Sequence, residues 1–172
     1  MNSYNERKNT YVKKKLLNTL LEMLKTQGID SIVIGDLVEK AGVGRVSFYR
    51  NYSSKKDILI QEERRLFDEW DIDYKTRNEN NSLDFNQELL DFYKRNSSLY
   101  LALFNNGMED IIINSLLSSA DIKEDDSNLI AYLKSSIAYL VYGWVHEWMK
   151  RGMQESGTEL SQMMKQANNT AR

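Results

Sequence analysis

The sequence predicts an all-α fold, and three observations support this prediction. The 172-residue chain has no proline and only eight glycines, so few residues in it interrupt a helix. Apolar residues recur at three- and four-residue steps along most of the chain, whereas alternating, strand-like runs are scarce. A composition of 41% hydrophobic and 28% charged residues is sufficient to build a buried core.

Composition also excludes several classes of site. The chain has no cysteine and a single histidine, His146, which rules out a disulfide framework, a thiolate zinc site and a cysteine nucleophile. No histidine–carboxylate pair stands at catalytic spacing, and no glycine-rich phosphate loop is present. We therefore expect no enzyme activity, no cofactor and no metal site.

No segment of the sequence has the pattern expected of a membrane span or an export signal. Lysines precede a leucine-rich segment near the N-terminus, but Asn18, Thr19 and Glu22 interrupt the apolar run. The longest apolar stretch, residues 137–145, is far shorter than the roughly 18–20 residues that a membrane span requires. We expect a cytoplasmic protein without membrane contact.

Charge is distributed unevenly along the chain. Residues 1–65 contain 13 Lys/Arg and 8 Asp/Glu, a balance of +5, and residues 66–172 contain 10 and 17, a balance of −7. The two balances account for the net charge of −2. A basic N-terminal part suggests that this part contacts a polyanion, although a solvated surface is an alternative explanation.

Short helices are predicted in the N-terminal part. Helix 1 is expected at about residues 10–26, ended by Gly28, and helix 2 at 35–40, ended by Ala41-Gly42. Helix 3 follows the turn Gly42-Val43-Gly44 and is expected at 45–52. Ser54, with Asp57 three residues later, predicts the start of helix 4, which we expect to continue to about Tyr74.

Longer amphipathic helices are predicted in the remainder. Segments near 84–95, 97–105 and 109–119 precede a helix at about 128–151, whose acidic approach and basic end match the helix dipole. That helix is apolar over more than half its circumference, so we expect it to be buried on two sides. A capping box at Ser156–Glu159 predicts the last helix.

The stretch from Gly28 to Leu59 resembles the DNA-binding domain of the TetR family of bacterial transcriptional regulators. The resemblance rests on Asp36-Leu37, Ala41-Gly42-Val43-Gly44, Ser47-Phe48-Tyr49 and Lys55–Leu59. It implies a three-helix, helix-turn-helix domain at residues 1–60, with the start of helix 4, and a helical effector-binding and dimerisation domain at 61–172. In one departure, Val33-Ile34 replace the threonine that usually caps helix 2, so the cap is weakened or supplied by Ser31. Gly143-Trp144, Glu147-Trp148 and Arg151-Gly152-Met153 are loosely similar to the branch that activates dihydroxyacetone kinase operons.

The resemblance implies roles for named residues on double-stranded DNA. Helix 3 would enter the major groove, with Arg45 and Val46 at base edges and Ser47, Tyr49, Asn51 and Lys55 at phosphates. The implied DNA-binding set comprises Gly44, Arg45, Val46, Ser47, Tyr49, Arg50, Asn51, Tyr52 and Lys55. For Tyr49 and Tyr52, a place in the core is the alternative.

Two further sets of residues follow from the resemblance. A small hydrophobic or aromatic effector would bind among Trp70, Tyr74, Phe92, Tyr93, Tyr100, Phe104, Tyr139 and Tyr142, unless these aromatics only form the core. The last two helices would form a homodimer interface through Leu133, Leu140, Trp144, Trp148, Leu160, Met163 and Met164. Such a dimer would bind a near-palindromic operator.

These expectations favour a sequence-specific regulator, most simply a repressor released by a small-molecule effector. The alternative is a TetR-like activator or co-regulator whose C-terminal domain binds a partner protein. The effector, the operator and the regulated genes are not encoded in any recognisable motif.

Overall fold

The computed structural model describes residues 3–79 and 82–170. Over these ranges the regular structure is helical and contains no strand, which confirms the all-α prediction. The elements are α1 (Ser3–Leu24), a 3₁₀ turn (Ile29–Ser31), α2 (Ile34–Ala41), α3 (Arg45–Asn51), α4 (Lys55–Arg77), α5 (Phe85–Arg95), α6 (Ser97–Asn105), α7 (Asp110–Ser119), α8 (Asn128–Lys150) and α9 (Gly157–Thr170).

The chain forms two compact units, residues 1–63 and 64–172. The helix α4 contributes residues to both units, since its first nine residues belong to the first and the rest to the second. The N-terminal unit contains α1 to α3, and the C-terminal unit contains α5 to α9.

Most predicted helix boundaries agree with the structure, and helix 1 shows the largest difference. The helix α1 begins at Ser3, earlier than residue 10, and residues 6–10 are exposed. Because the prediction relied on an apolar stripe, it could not detect this exposed first part of the helix. Gly28 does not end α1, which stops at Leu24; Gly28 has an ordinary φ of −68° and precedes the 3₁₀ turn.

The core of the N-terminal unit is formed where α1 packs against α2 and α3. Leu16 and Leu20 on α1, Leu37 on α2 and Phe48 on α3 are all fully buried. Because Phe48 anchors α3 through one face, the rest of this short helix is available on the surface.

The C-terminal unit is organised around the pairs α5–α9, α7–α8 and α6–α8. The predicted capping box at α9 is confirmed, because Ser156 Oγ accepts from the Glu159 amide at 3.2 Å and Glu159 Oε2 accepts from the Ser156 amide at 2.8 Å. Within the described ranges, none of the helices combines the length and the apolar character needed to cross a membrane.

The helix α8 differs from its prediction in one respect. Within this chain it is buried on one side only, through Ala138, Val141, Val145, Trp148 and Met149. Apolar side chains on the opposite side are exposed: Leu129, Tyr132, Leu133, Ile137 and Leu140. We call this opposite side, residues 129, 132, 133, 136, 137, 140, 143 and 144, the open face of α8.

Candidate DNA-binding surface

A tight glycine turn orients α3 relative to α2. Gly42 adopts the left-handed conformation (φ 67°, ψ 34°), which glycine tolerates better than residues with a side chain. The amides of Gly42 and Val43 donate to the carbonyls of Glu39 (3.0 Å) and Val38 (2.9 Å), which closes the end of α2. Gly44 then precedes α3 in an extended conformation, so the chain turns sharply between the two helices.

The outward side of α3 carries cations, an aliphatic residue and an aromatic ring. Arg45, Val46, Tyr49 and Arg50 are exposed, with 74% of the Val46 side chain and 60% of Tyr49 accessible to solvent. Tyr49 lies four residues from Arg45 and three from Val46, and Arg50 lies four from Val46, so these positions are neighbours on one helical surface. A short helix that exposes two arginines and an apolar contact has the chemistry to read base edges and hold phosphates.

An open groove lies beside this surface. It has a volume of about 420 Å³ and is lined by the residues before α2, the start of α2, α3 and the start of α4: Ile32, Val33, Ile34, Gly35, Arg45, Tyr49, Ser53, Ser54 and Lys55. The lining includes two cations and no carboxylate. Val33 precedes α2 without a side-chain hydrogen bond to the first turn, as its replacement of threonine predicted.

Comparison with known families identifies this arrangement. Residues 16–61 match the family model for bacterial regulatory proteins of the tetR family. Residues 16–61 therefore form a DNA-binding domain of the tetR type. The chain is a DNA-binding transcriptional regulator, and its helix-turn-helix comprises α2, the glycine turn and α3. A search of curated proteins found no match.

Two predicted DNA-binding residues, Tyr52 and Asn51, make contacts within the N-terminal unit itself. Tyr52 is 94% covered, with its ring 6.0 Å from that of Phe48, so the core alternative applies to it. Burial, with the charges of Glu62 and Asp57, raises the pKa of Tyr52 to about 12. The Asn51 amide donates to the Ser47 carbonyl at 2.8 Å, which uses one of its two N–H donors within α3 itself.

Lys55 has a role that the sequence did not reveal. Its ammonium group donates to the carbonyls of Asp30 (3.0 Å) and Ile32 (2.6 Å), and so ties the segment before α2 to the start of α4. An ammonium has three N–H donors, which leaves one for a phosphate. Lys55 thus holds the groove together, and its expected contact with a DNA phosphate stays a prediction.

A second polar network supports the end of α3. Gln61 Nε2 donates to the Asn51 carbonyl and to Asp57 Oδ2, both at 3.1 Å. Asp57 Oδ2 also accepts from the Ser53 amide at 2.9 Å, and Ser54 Oγ accepts from the Asp57 amide at 3.1 Å. The predicted cap at Ser54 is confirmed, whereas no local motif pointed to Gln61.

The predicted effector residues do not form a single group. Five of them, Trp70, Tyr74, Phe92, Tyr93 and Tyr100, are buried in one aromatic cluster in which neighbouring rings lie 4.5–5.8 Å apart. Phe104 and Tyr142 instead contact His146, at ring distances of 5.1 and 5.7 Å. Tyr139 is 55% exposed, unlike the five residues of the cluster.

The predicted dimer residues also divide into two groups. Leu133, Leu140 and Met163 are exposed and Trp144 is half-buried. Trp148, Leu160 and Met164 are buried within the unit, which corrects their assignment to a surface. The reason is that α9 packs on α5 and that Trp148 lies on the buried side of α8.

Proposed function

We propose that this chain is a TetR-family repressor that acts as a homodimer on a near-palindromic operator and is released by a small-molecule effector. The observation that carries the proposal is the outward side of α3, where Arg45, Val46, Tyr49 and Arg50 are exposed together. Repression requires the least machinery, because an occupied operator is sufficient to block transcription. Such a regulator acts in the cytoplasm, where a bacterial chromosome lies.

Residue roles follow from position. Arg45 and Val46, at the start of α3, are proposed to contact base edges, with the arginine donating to guanine O6 and N7. Tyr49 and Arg50 are proposed to contact phosphates, and the remaining Lys55 N–H is proposed to donate to the phosphate backbone of the DNA as well. Gly44 would allow the protein backbone to approach the DNA closely, and Ser47 would contribute a hydroxyl. Tyr52 and Asn51 would act indirectly, by holding α3 in place.

Dimerisation is proposed to involve the open face of α8. Leu133 and Leu140 are each at least half exposed and lie seven residues apart, two turns along the same side. Exposed apolar patches of this length are uncommon on isolated chains, and an equivalent helix from a second copy would cover both. A partner protein on this face would instead support the co-regulator alternative.

An effector site is proposed beside the aromatic cluster. The Trp70 indole N–H is buried and has no hydrogen-bond partner among the described residues. A buried donor of this kind is costly unless a partner satisfies it. A hydrophobic or aromatic molecule with one acceptor could satisfy the indole N–H while its apolar part contacts the rings.

The proposed function is tested first by DNA binding. Fluorescence anisotropy with duplexes from the DNA flanking this protein's own gene should show tight binding that falls steeply with salt. Arg45→Ala should reduce the ratio of specific to random-sequence affinity by roughly fivefold or more. Arg95→Ala, at an exposed residue in the C-terminal unit, is the matched charge control and should preserve this ratio.

Two results would contradict different parts of the DNA assignment. In the first, the wild type binds the flanking DNA, and duplexes selected from a random library, no more tightly than it binds random sequence. The other is an Arg45→Ala variant whose specificity ratio equals that of the wild type. Only the first would remove specific DNA binding itself, and the second would move base readout to other residues of α3.

The effector proposal has a separate test. A thermal-shift screen of small aromatic molecules should yield compounds that raise the unfolding midpoint and release the protein from its operator. Trp70→Phe should bind such a compound more weakly, because it removes the unpaired donor and retains an aromatic ring. Equal compound affinity in Trp70→Phe would place the site elsewhere.

A further inference from the structure

The second residue of α2 is a glycine whose backbone does not require one. Gly35 lies within the helix Ile34–Ala41 and has no positive φ. Glycine is among the least favourable residues inside a helix, because it loses the most backbone freedom on folding. We therefore expect a neighbouring group to occupy the space that a side chain at position 35 would need.

Arg45 supplies that explanation. A Cβ placed on Gly35 would lie 2.8 Å from Arg45 Nη2, closer than side-chain atoms normally approach. The next neighbours, Arg45 Cζ at 3.8 Å and Val33 Cγ1 at 3.9 Å, are at ordinary contact distance. The space that a side chain at position 35 would fill is thus occupied by the end of the arginine.

Packing decides where this guanidinium lies. Among the described residues, Arg45 has no hydrogen-bond or ion-pair partner, and no carboxylate lines the groove in which it sits. The nearby first turn of α2 carries the positive end of the helix dipole and attracts no cation. The open space above Gly35 is therefore what admits the guanidinium to this position.

We propose that Gly35 is a specificity-determining residue, because its missing side chain lets Arg45 lie in the groove between α2 and α3 and so sets the base contact that Arg45 makes. The inference rests on the proposed function. A bidentate arginine–guanine contact depends on the direction from which the planar guanidinium approaches. A methyl group at position 35 would displace the end of Arg45 while leaving the backbone and the core unchanged.

The expected effect of Gly35→Ala is a change in DNA binding without loss of fold. Affinity for a duplex selected by the wild type should fall by roughly five- to tenfold. The unfolding midpoint should stay equal or rise, since alanine favours the helix and only the mobile end of an arginine must move. Selection from a random duplex library should return a different preference at the base pair that Arg45 reads.

A double-mutant cycle tests the mechanism directly. Anisotropy on one selected duplex is measured for the wild type, Gly35→Ala, Arg45→Ala and the double variant. We expect Gly35→Ala to have no further effect once Arg45 is alanine, because the displaced group is then absent. Thermal unfolding of all four proteins verifies that each remains folded.

The outcomes separate this inference from the proposed function. If the wild type enriches no duplex from the library, specific DNA binding fails and so does the inference. If the wild type binds specifically and Gly35→Ala matches it in affinity and preference, only the inference is overturned. The same conclusion follows if Gly35→Ala weakens binding equally in both Arg45 backgrounds, since its effect would then not involve Arg45.

Discussion

At the scale of single residues, Lys55 shows how one side chain can serve both fold and function. Its hydrogen bonds to the carbonyls of Asp30 and Ile32 join the 3₁₀ turn and the residue after it to the first turn of α4. A charged donor shared between two carbonyls is a strong hydrogen-bonding arrangement. Its loss would leave both carbonyls without this donor and loosen one wall of the groove.

Lys55→Ala is therefore expected to lower the free energy of unfolding by about 1–3 kcal/mol, as measured by denaturant unfolding. Lys56→Ala is the matched control, because it removes the same charge from the next residue. Lys56 makes only an exposed ion pair with Asp30 at 3.5 Å, so its loss should cost under about 0.5 kcal/mol. Equal losses in the two variants would contradict a structural role for Lys55.

The raised pKa of Tyr52 predicts that the stability of the folded state falls at alkaline pH. The pKa of Tyr52 is raised to about 12, first by burial and then by Glu62 and Asp57, so the folded state favours the protonated phenol. The stabilisation from this group is complete below the pKa of a free tyrosine, near 10. It is lost as the pH rises from about 10 to about 12, by roughly 2 kcal/mol. Tyr52→Phe should reduce this loss in unfolding curves recorded across that range, whereas an unchanged alkaline decline would contradict the assignment.

At the scale of elements, the pairing of α9 with α5 organises the C-terminal unit. Ser161 and Lys165 on α9 both contact Asp84, whose carboxylate also caps α5 by accepting from the amides of Asn86 and Gln87. Burial raises the pKa of Asp84, but the hydrogen bonds from Lys165 and from the Gln87 amide outweigh it and lower that pKa overall.

Gly157, the first residue of α9, allows this pairing to be close. A Cβ there would lie 2.7 Å from the Asp91 amide nitrogen and 2.9 Å from the Leu90 carbonyl carbon, both of which are backbone atoms of α5. Gly157→Ala should therefore lower the free energy of unfolding by about 1–3 kcal/mol, because the helices must separate. Gly35→Ala is the matched control, since its nearest neighbour is only the end of Arg45. Unfolding midpoints that shift alike in both variants would show that close packing at Gly157 is unimportant.

At the scale of the whole molecule, the open face of α8 bears on assembly. One side of this helix is covered within the chain, while Leu129, Tyr132, Leu133, Ile137 and Leu140 remain exposed on the other. A twofold dimer would pair this face with its own copy and place two helix-turn-helix domains on one operator. The dimer is thus the proposed reason why the wide apolar surface of α8 need not all be buried inside one chain.

Leu140→Glu is expected to convert a dimer at micromolar concentration into a monomer, because it would place two carboxylates in an apolar interface. Sedimentation velocity measures the change, and unfolding curves establish that each chain remains folded. Ile72→Glu is the matched control, because Ile72 is an exposed apolar residue on α4 outside the open face of α8. A wild-type chain that sediments as a monomer would contradict the proposed dimer, and a Leu140→Glu variant that remains a dimer would contradict this interface.

Much of the fold could be predicted because its determinants are local. The missing prolines, the apolar stripes and the capping box at Ser156–Glu159 each act within a few residues of the helix that they define. The helix-turn-helix was likewise recognisable, since Gly42 and the aromatic pair Phe48-Tyr49 stand at fixed spacing around one turn. The exposure of Arg45, Val46 and Tyr49 agrees with this pattern.

The roles of Lys55 and Gln61, by contrast, depend on backbone groups that lie 23 and 10 residues earlier in the chain. Helix packing decided the burial of four residues, Tyr52, Trp148, Leu160 and Met164. The contact between Gly35 and Arg45 likewise depends on how α2 and α3 are placed on either side of the groove. By itself the sequence determined the helices, the turn and the DNA-binding class, because these depend on short-range spacing. Only the tertiary structure decided which exposed and buried side chains share a surface, because helix packing brings together residues that no local pattern relates.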